Sequence, residues 1–233
     1  MSSLVLLPGM MCDARLFEPQ IRELSKACDV QVLAITEFDS VTELAYDVLS
    51  KAPAKFSLAG LSMGGIVAME IMAIAPERVE RLALMDTNHL AEDEAVSKNR
   101  VRQIDQVRQG NLVGVMRDEM KPLYLAESSE RDQHLTLCMD MAQALGAEVF
   151  IRQSKALTSR RDQTSTLNSL NLPTLVMCGR EDRLCPVERH QLIQTLIPQA
   201  KLSIINNAGH LPTLENPEET NIQLATWLEI QRA

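Results

Sequence analysis

The sequence predicts an α/β fold on a parallel sheet, and three observations carry that expectation. Short apolar runs bounded by turn residues recur along the chain, segments with helical spacing lie between them, and proline falls where elements should begin or end. Apolar runs of this kind mark strands buried on both faces, and their alternation with helices implies a parallel sheet covered on both sides.

Six runs read as strands: Leu4 to Leu7, Val30 to Ile35, Phe56 to Ala59, Leu82 to Met85, Thr174 to Cys178 and Leu202 to Ile205. The intervening helical segments are Phe17 to Ala27, Val41 to Ala52, Ser62 to Ala75, Val187 to Leu196 and Pro217 to Ile230. Pro217 suits the first helical turn, where its missing N–H costs nothing, and Asn216 before it is a suitable cap. Pro173 opens the strand into Cys178, and Pro198 ends the helix before Leu202. From about Asn88 to Ser169 no strand pattern occurs. That interval holds amphipathic stretches at Val96 to Val107, Leu112 to Met120, Arg131 to Leu145 and Ala147 to Leu157. The expected organisation is one core made of residues 1–87 and 170–233, with a helical insertion at 88–169.

Composition narrows the function. With 45% hydrophobic and 23% charged residues, the 233-residue chain is an ordinary soluble globular protein with enough length for one sizeable core. Aromatics are sparse at 3%, and twelve Met residues offer flexible filling for a core or an adaptable pocket. A net charge of −8 without a basic run argues against a nucleic-acid partner. Five Cys without a CxxC pair indicate neither a disulfide framework nor a zinc site, so a reducing cytoplasm is the expected location. The stretch Met1 to Pro8 has no basic leader and is too short to span a bilayer, so neither export nor membrane insertion is expected.

The segment Gly60-Leu61-Ser62-Met63-Gly64-Gly65 lies between a strand and a helix. A serine on so tight a turn is held in a strained conformation with its hydroxyl raised above the sheet, and small neighbours permit it. Serine needs a base within hydrogen-bond reach and a third group to orient that base. His210 follows the last strand on a loop with Asn206, Asn207 and Gly209, whereas His89, His134 and His190 read as surface or packing residues. Asp182 follows the strand ending at Cys178, and Asp86, which ends the strand Leu82 to Met85, is a rival acid. Glu181 and Arg180 read as solvent-facing.

An oxyanion needs backbone donors. The Met63 amide at the start of its helix is one candidate and the Met10 amide, in the loop after the first strand, is the other. Gly9 allows a sharp turn that aims the next amide inward. Cys12 has no base beside it and reads as a buried structural thiol.

In order along the chain, Leu7-Pro8-Gly9-Met10, Gly60-Leu61-Ser62-Met63-Gly64-Gly65, Pro173-Thr174-Leu175-Val176 leading to Gly179-Arg180-Glu181-Asp182, and Ala208-Gly209-His210-Leu211-Pro212 resemble the α/β-hydrolase superfamily. The likeness is to compact bacterial members related to carboxylesterases, pimeloyl-carrier-protein methyl esterases and enol-lactone hydrolases. It covers nearly the whole chain except 88–169, which in such proteins is usually a helical cap forming the pocket. It implies the α/β-hydrolase fold and a Ser62, Asp182, His210 triad. Two departures stand out: Pro8-Gly9 replaces the frequent His-Gly, and two early strands of many relatives have no counterpart, so a wholly parallel six-stranded sheet is expected.

The implied chemistry is cleavage of a small or medium carboxylic ester through an acyl-enzyme, with no metal or cofactor required. Thioester hydrolysis, lactone opening and carbon–carbon cleavage use the same residues, and a ligand sensor on the same fold is a further reading. Ser62 at the elbow argues against haloalkane dehalogenation, which places aspartate there. Two readings stand for Met116, Met120, Leu123, Tyr124, Met139, Met141 and Phe150: walls of an apolar pocket, or core filler. Arg100, Arg102, Arg108, Arg117 and Arg152 are candidates for binding a carboxylate or a carrier protein.

Overall fold

The computed structural model describes residues 3–230, so the outermost residues of the expected core, 1–2 and 231–233, lie outside the described residues. Strands β1 (Ser3–Leu7), β2 (Asp29–Val32), β3 (Phe56–Leu61), β4 (Val79–Met85), β5 (Thr174–Gly179) and β6 (Lys201–Ile205) form one sheet in the order β2-β1-β3-β4-β5-β6. Every neighbouring pair is parallel, as expected. Burial follows position: β3 and β5 are buried throughout, whereas the edge strands β2 and β6 are partly exposed.

The helices are α1 (Glu18–Leu24), α2 (Val41–Lys51), α3 (Met63–Ile74), α4 (Glu94–Arg108), α5 (Leu112–Gly114), α6 (Arg131–Thr158), α7 (Thr164–Asn168), α8 (Val187–Leu196), α9 (Pro212–Glu215) and α10 (Pro217–Trp227). Side chains alternate across the pleat. Val5 and Leu7 join the apolar cluster under α2, α3 and α8, while Leu4 and Leu6 join the opposite one with Leu24, Leu224 and Trp227.

Several expectations shift for local reasons. β2 stops at Val32 rather than Ile35, because beyond the Leu33 amide bonded to Leu6 O the chain leaves the sheet and Ile35 is buried in the loop. The first helix opens as a 3₁₀ turn, Ala14–Phe17, capped by Asp13, before α1 begins at Glu18 with Pro19 in its first turn. The stretch Leu112 to Met120 divides into α5 and a π-helical turn, Val115–Met120. α6 contains a break at Gly146 (φ 81°, ψ 178°), where the two expected amphipathic stretches meet.

The sheet order reverses after β1: the chain steps outward to β2 and returns to place β3 on the other side. Such a reversal opens a crevice at the carboxyl ends of the two strands. From those ends emerge the loop bearing Met10 and the turn bearing Ser62. Between β4 and β5 the regular elements among the described residues are helical, and this segment contributes Met116 and Phe150 to one apolar cluster and Tyr124 and Met141 to the other.

Candidate active site

Ser62 is the residue between β3 and α3, with φ 55° and ψ −114°. A side-chain-bearing residue in that region is strained by on the order of 1–3 kcal/mol, so its surroundings must hold it. The Ser62 amide donates to Met85 O at 2.8 Å, and the Thr87 hydroxyl donates to Ser62 O at 2.7 Å. Glycine is required where the turn closes on itself. A Cβ on Gly60 would lie 2.3 Å from Gly64 O, and one on Gly64 would lie 2.1 Å from Leu7 O.

Strain gathers along the same sheet edge. Met11 after β1, Asp86 after β4 and Asn207 after β6 also have positive φ, at 57°, 45° and 53°. The sharp turn expected at Gly9 therefore falls at Met11, whose amide donates to the buried Gln153 Oε1 at 2.9 Å. A Cβ on Gly9 would make ordinary contacts, 3.4 Å to Leu61 and 3.5 Å to Ser62.

Three side chains distant in sequence meet above the sheet. His210 Nε2 lies 2.9 Å from Ser62 Oγ, and His210 Nδ1 lies 2.8 Å from Asp182 Oδ2. The second Asp182 oxygen accepts the Leu184 and Cys185 amides at 2.8 and 3.0 Å. Burial pushes the Asp182 carboxyl up, but His210 and these amides outweigh it and hold the group below its ordinary value. A carboxylate on Nδ1 fixes the tautomer that leaves Nε2 free to accept the serine proton.

Asp86, the rival acid, is fully buried beside this group, and its Oδ1 accepts the Gly179 amide at 2.8 Å, while His210 Nδ1 pairs with Asp182. Burial and the charge of Asp182 push its carboxyl well above the ordinary range.

The loop carrying His210 is clamped to the helical segment. Its amide donates to Tyr124 O at 2.7 Å, while Glu215 accepts the Ala126 amide at 2.7 Å and the Leu211 amide at 3.0 Å. The Tyr124 and His210 rings lie 5.4 Å apart. Behind Ser62, His190 Nε2 accepts the Thr87 amide at 3.0 Å, and burial lowers this imidazole to about 4. Thr87, His190 and Glu215 were not singled out for the site from sequence, because their partners lie on distant elements; a polar residue directly after a strand end, as at Thr87, is the one local signal.

A cavity of about 530 Å³ opens above Ser62 and His210, with Met10 and Met63 on its floor. Among the described residues neither the Met10 nor the Met63 amide has a hydrogen-bond acceptor, so both donors are free. Of the seven residues expected to wall a pocket, Met120, Leu123 and Tyr124 line this cavity. Met116, Met141 and Phe150 do not; they are fully buried filler, and Met139 packs partly buried against the core. Among the arginines, Arg100 lines the cavity together with Arg160 and Arg189, which were not anticipated. Arg102, Arg108 and Arg117 instead pair with Glu119, Asp105 and Asp118, and Arg152 donates to Thr36 O at 2.7 Å.

Other reactive groups are quiet. Burial pushes the Cys12 thiol up to about 12, away from the nucleophilic thiolate. Among the described residues, Asp182, Cys185 and His210 alone bring metal-ligating atoms within 4.8 Å of one another. There Asp182 and His210 already bond each other, and burial keeps the Cys185 thiol protonated. No described helix is long and apolar enough to cross a membrane.

Relatives place this geometry in context. The chain is 29% identical to a pimeloyl-[acyl-carrier protein] methyl ester esterase of Nitrosomonas europaea over 80% of this chain and 75% of that protein. A protein provisionally named carbamate hydrolase RutD, from Yersinia enterocolitica, is 24% identical over 97% of this chain and 87% of its own length. Among solved structures, a thermophilic esterase of Thermogutta terrifontis with malate bound superposes with a TM-score of 0.89 and 27% identity, covering 98% of this chain and 90% of that one. The model of the alpha/beta hydrolase family matches residues 4–223, and the chain belongs to that family.

Proposed function

We propose that the protein is a serine esterase that cleaves a small or medium carboxylic ester through Ser62, His210 and Asp182. The single observation that carries this reading is the continuous hydrogen-bonded line from Asp182 through His210 to a strained Ser62 Oγ at the floor of a cavity. The name of the Nitrosomonas europaea relative, an ester hydrolase, supports the reaction class.

In this mechanism His210 Nε2 takes the Ser62 proton as Oγ attacks the ester carbonyl. The tetrahedral oxyanion accepts hydrogen bonds from the Met10 and Met63 amides, the second helped by the N-terminal end of α3. Collapse expels the alcohol, which leaves with the proton held by His210. Water then loses a proton to His210, attacks the acyl-enzyme and releases the acid and Ser62. Asp182 remains ionised throughout and stabilises the imidazolium. Residues 88–169 act as the cap that walls the acyl site through Met120, Leu123 and Tyr124.

Hydrolysis of p-nitrophenyl esters from acetate to decanoate, by wild type and Ser62→Ala, tests the proposal. Turnover in the wild type, lost in Ser62→Ala, is the expected result, with labelling of Ser62 by a fluorophosphonate. Labelling without turnover on any ester would move the assignment to a thioesterase, lactonase or carbon–carbon hydrolase. Absence of both would leave the ligand sensor.

A further inference from the structure

Three guanidiniums, of Arg100, Arg160 and Arg189, line the cavity above Ser62, and two of them share one carboxylate. Glu92 is a buried carboxylate, its side chain 3% exposed, and it serves two guanidiniums at once: Arg100 Nε on one oxygen and Arg160 Nη1, at 2.6 Å, on the other. The arginine side chains are themselves only 14% and 8% exposed. Arg189, also on the cavity wall, donates to the uncharged Asn88 Oδ1 at 3.2 Å. The other acids of the wall are bonded elsewhere. Asp93 caps α4 through the Ala95 and Val96 amides, and Glu119 is taken by Arg102 from outside the cavity.

Two cations on one carboxylate in a poorly hydrated site are costly unless a further anion completes them. Arg160 is tied down by a second bond, its Nε donating to Leu90 O at 2.9 Å. Arg100 is not. Its Nη1 rests on the sulfur of Met10 at 3.7 Å, a weak acceptor, and among the described residues its Nη2 has no acceptor. Met10 is also the residue whose amide faces the reacting carbonyl in the proposed mechanism. One methionine side chain thus separates the spare guanidinium from the oxyanion position.

Resting on the serine-esterase reading, we propose that the substrate is the anionic half-ester of a short dicarboxylic acid, whose free carboxylate is held by Arg100 beside Arg160 and Arg189. Guanidinium forks bind carboxylates with paired, charge-assisted hydrogen bonds, so the contact fixes orientation as well as affinity. Hydrolysis consumes water and releases the alcohol, a proton and a dicarboxylate. An acidic carrier-protein surface is a poorer match for these arginines, because their side chains lie within the cavity wall rather than on an open face.

The test measures kcat/KM for monomethyl succinate, glutarate and adipate against methyl butyrate, pentanoate and hexanoate, with calorimetric binding of free succinate and glutarate. The wild type is expected to favour the anionic member of a pair by about tenfold or more, expressed in KM. In Arg100→Gln that ratio should collapse toward one and dicarboxylate binding should be lost, with Arg100→Lys recovering part of both. Equal or better turnover of the neutral esters by the wild type overturns the proposal while leaving the esterase reading intact, and needs no variant to fold. If no ester is cleaved and Ser62 resists fluorophosphonate, the esterase reading fails, and calorimetry then decides the anion site separately: dicarboxylate binding lost in Arg100→Gln sustains it, and absence of binding overturns it. Saturable binding of an acidic carrier protein with no dicarboxylate binding also overturns it.

Discussion

The Thr87 hydroxyl donates to the carbonyl oxygen of Ser62 at 2.7 Å, and the Thr87 amide donates to His190 Nε2 at 3.0 Å. A residue at the end of β4 therefore braces the strained turn after β3, and a buried imidazole braces it in turn. Thr87→Val removes the hydroxyl donor at nearly constant volume. Stability is expected to fall by about 1 kcal/mol, and kcat by roughly tenfold to a hundredfold as Ser62 Oγ drifts, with fluorophosphonate labelling retained. Unchanged kcat would show that the turn holds itself.

Asp182 and Asp86 separate cleanly by substitution to asparagine. Asp182→Asn removes the acceptor of the His210 Nδ1 proton, and kcat should fall on the order of 10⁴-fold with the fold preserved. Asp86→Asn keeps an oxygen that accepts the Gly179 amide and touches no hydrogen bond of His210, so the loss should stay below about tenfold. Steady-state kinetics with circular dichroism decides, and the reverse ranking would make Asp86 the orienting acid.

His190 writes a signature into stability against pH. Folded, it takes its proton only near pH 4, whereas unfolded it does so near 6.5. Between those values the unfolded chain binds more protons, so this contribution is complete above about 6.5 and is lost as pH falls toward 4. Urea unfolding at pH 7 and 4.5 should cost the wild type roughly 2 kcal/mol more than His190→Gln. Parallel losses in the two proteins would mean that His190 titrates freely.

Two neighbouring glycines, Gly64 in the first turn of α3 and Gly9 in the loop after β1, should respond oppositely to alanine. Gly64→Ala drives a methyl to 2.1 Å from Leu7 O, backbone that cannot yield, and should destabilise by more than about 4 kcal/mol or abolish soluble expression. Gly9→Ala meets only ordinary contacts, so its melting temperature should stay close to the wild type. A large loss in Gly9→Ala would mean that the loop after β1 is tighter than its contacts indicate.

What was legible in the sequence is what local chemistry determines. Continuous burial wrote β3 and β5 as apolar runs, and α8 keeps its expected bounds, with Pro186 just before it and Pro198 two residues past its end. β2 was harder: on an exposed edge its residues are not forced to be apolar, so the hydrophobic signal drifted to Ile35 in the loop. Ser62, Asp182 and His210, which the structure brings within hydrogen-bond distance, could be singled out because each lies on a segment following a strand end. Arg160 and His190 could not, because their partners Glu92 and Thr87 lie 68 and 103 residues away. Met116 and Phe150 look like Met120 in sequence, and only packing separates filler from cavity wall.

The clamp between the His210 loop and residues 124–126 makes the roof of the cavity and the proposed base one mechanical part. A roof swinging away on hinges would pull the Tyr124 carbonyl from the His210 amide and the Ala126 amide from Glu215, and would strip apolar surface from both clusters. Leu123, 40% exposed, also lines the cavity, and an exposed side chain can change rotamer without breaking either bond. Under the proposed mechanism, lifting that roof and displacing the base would be the same event.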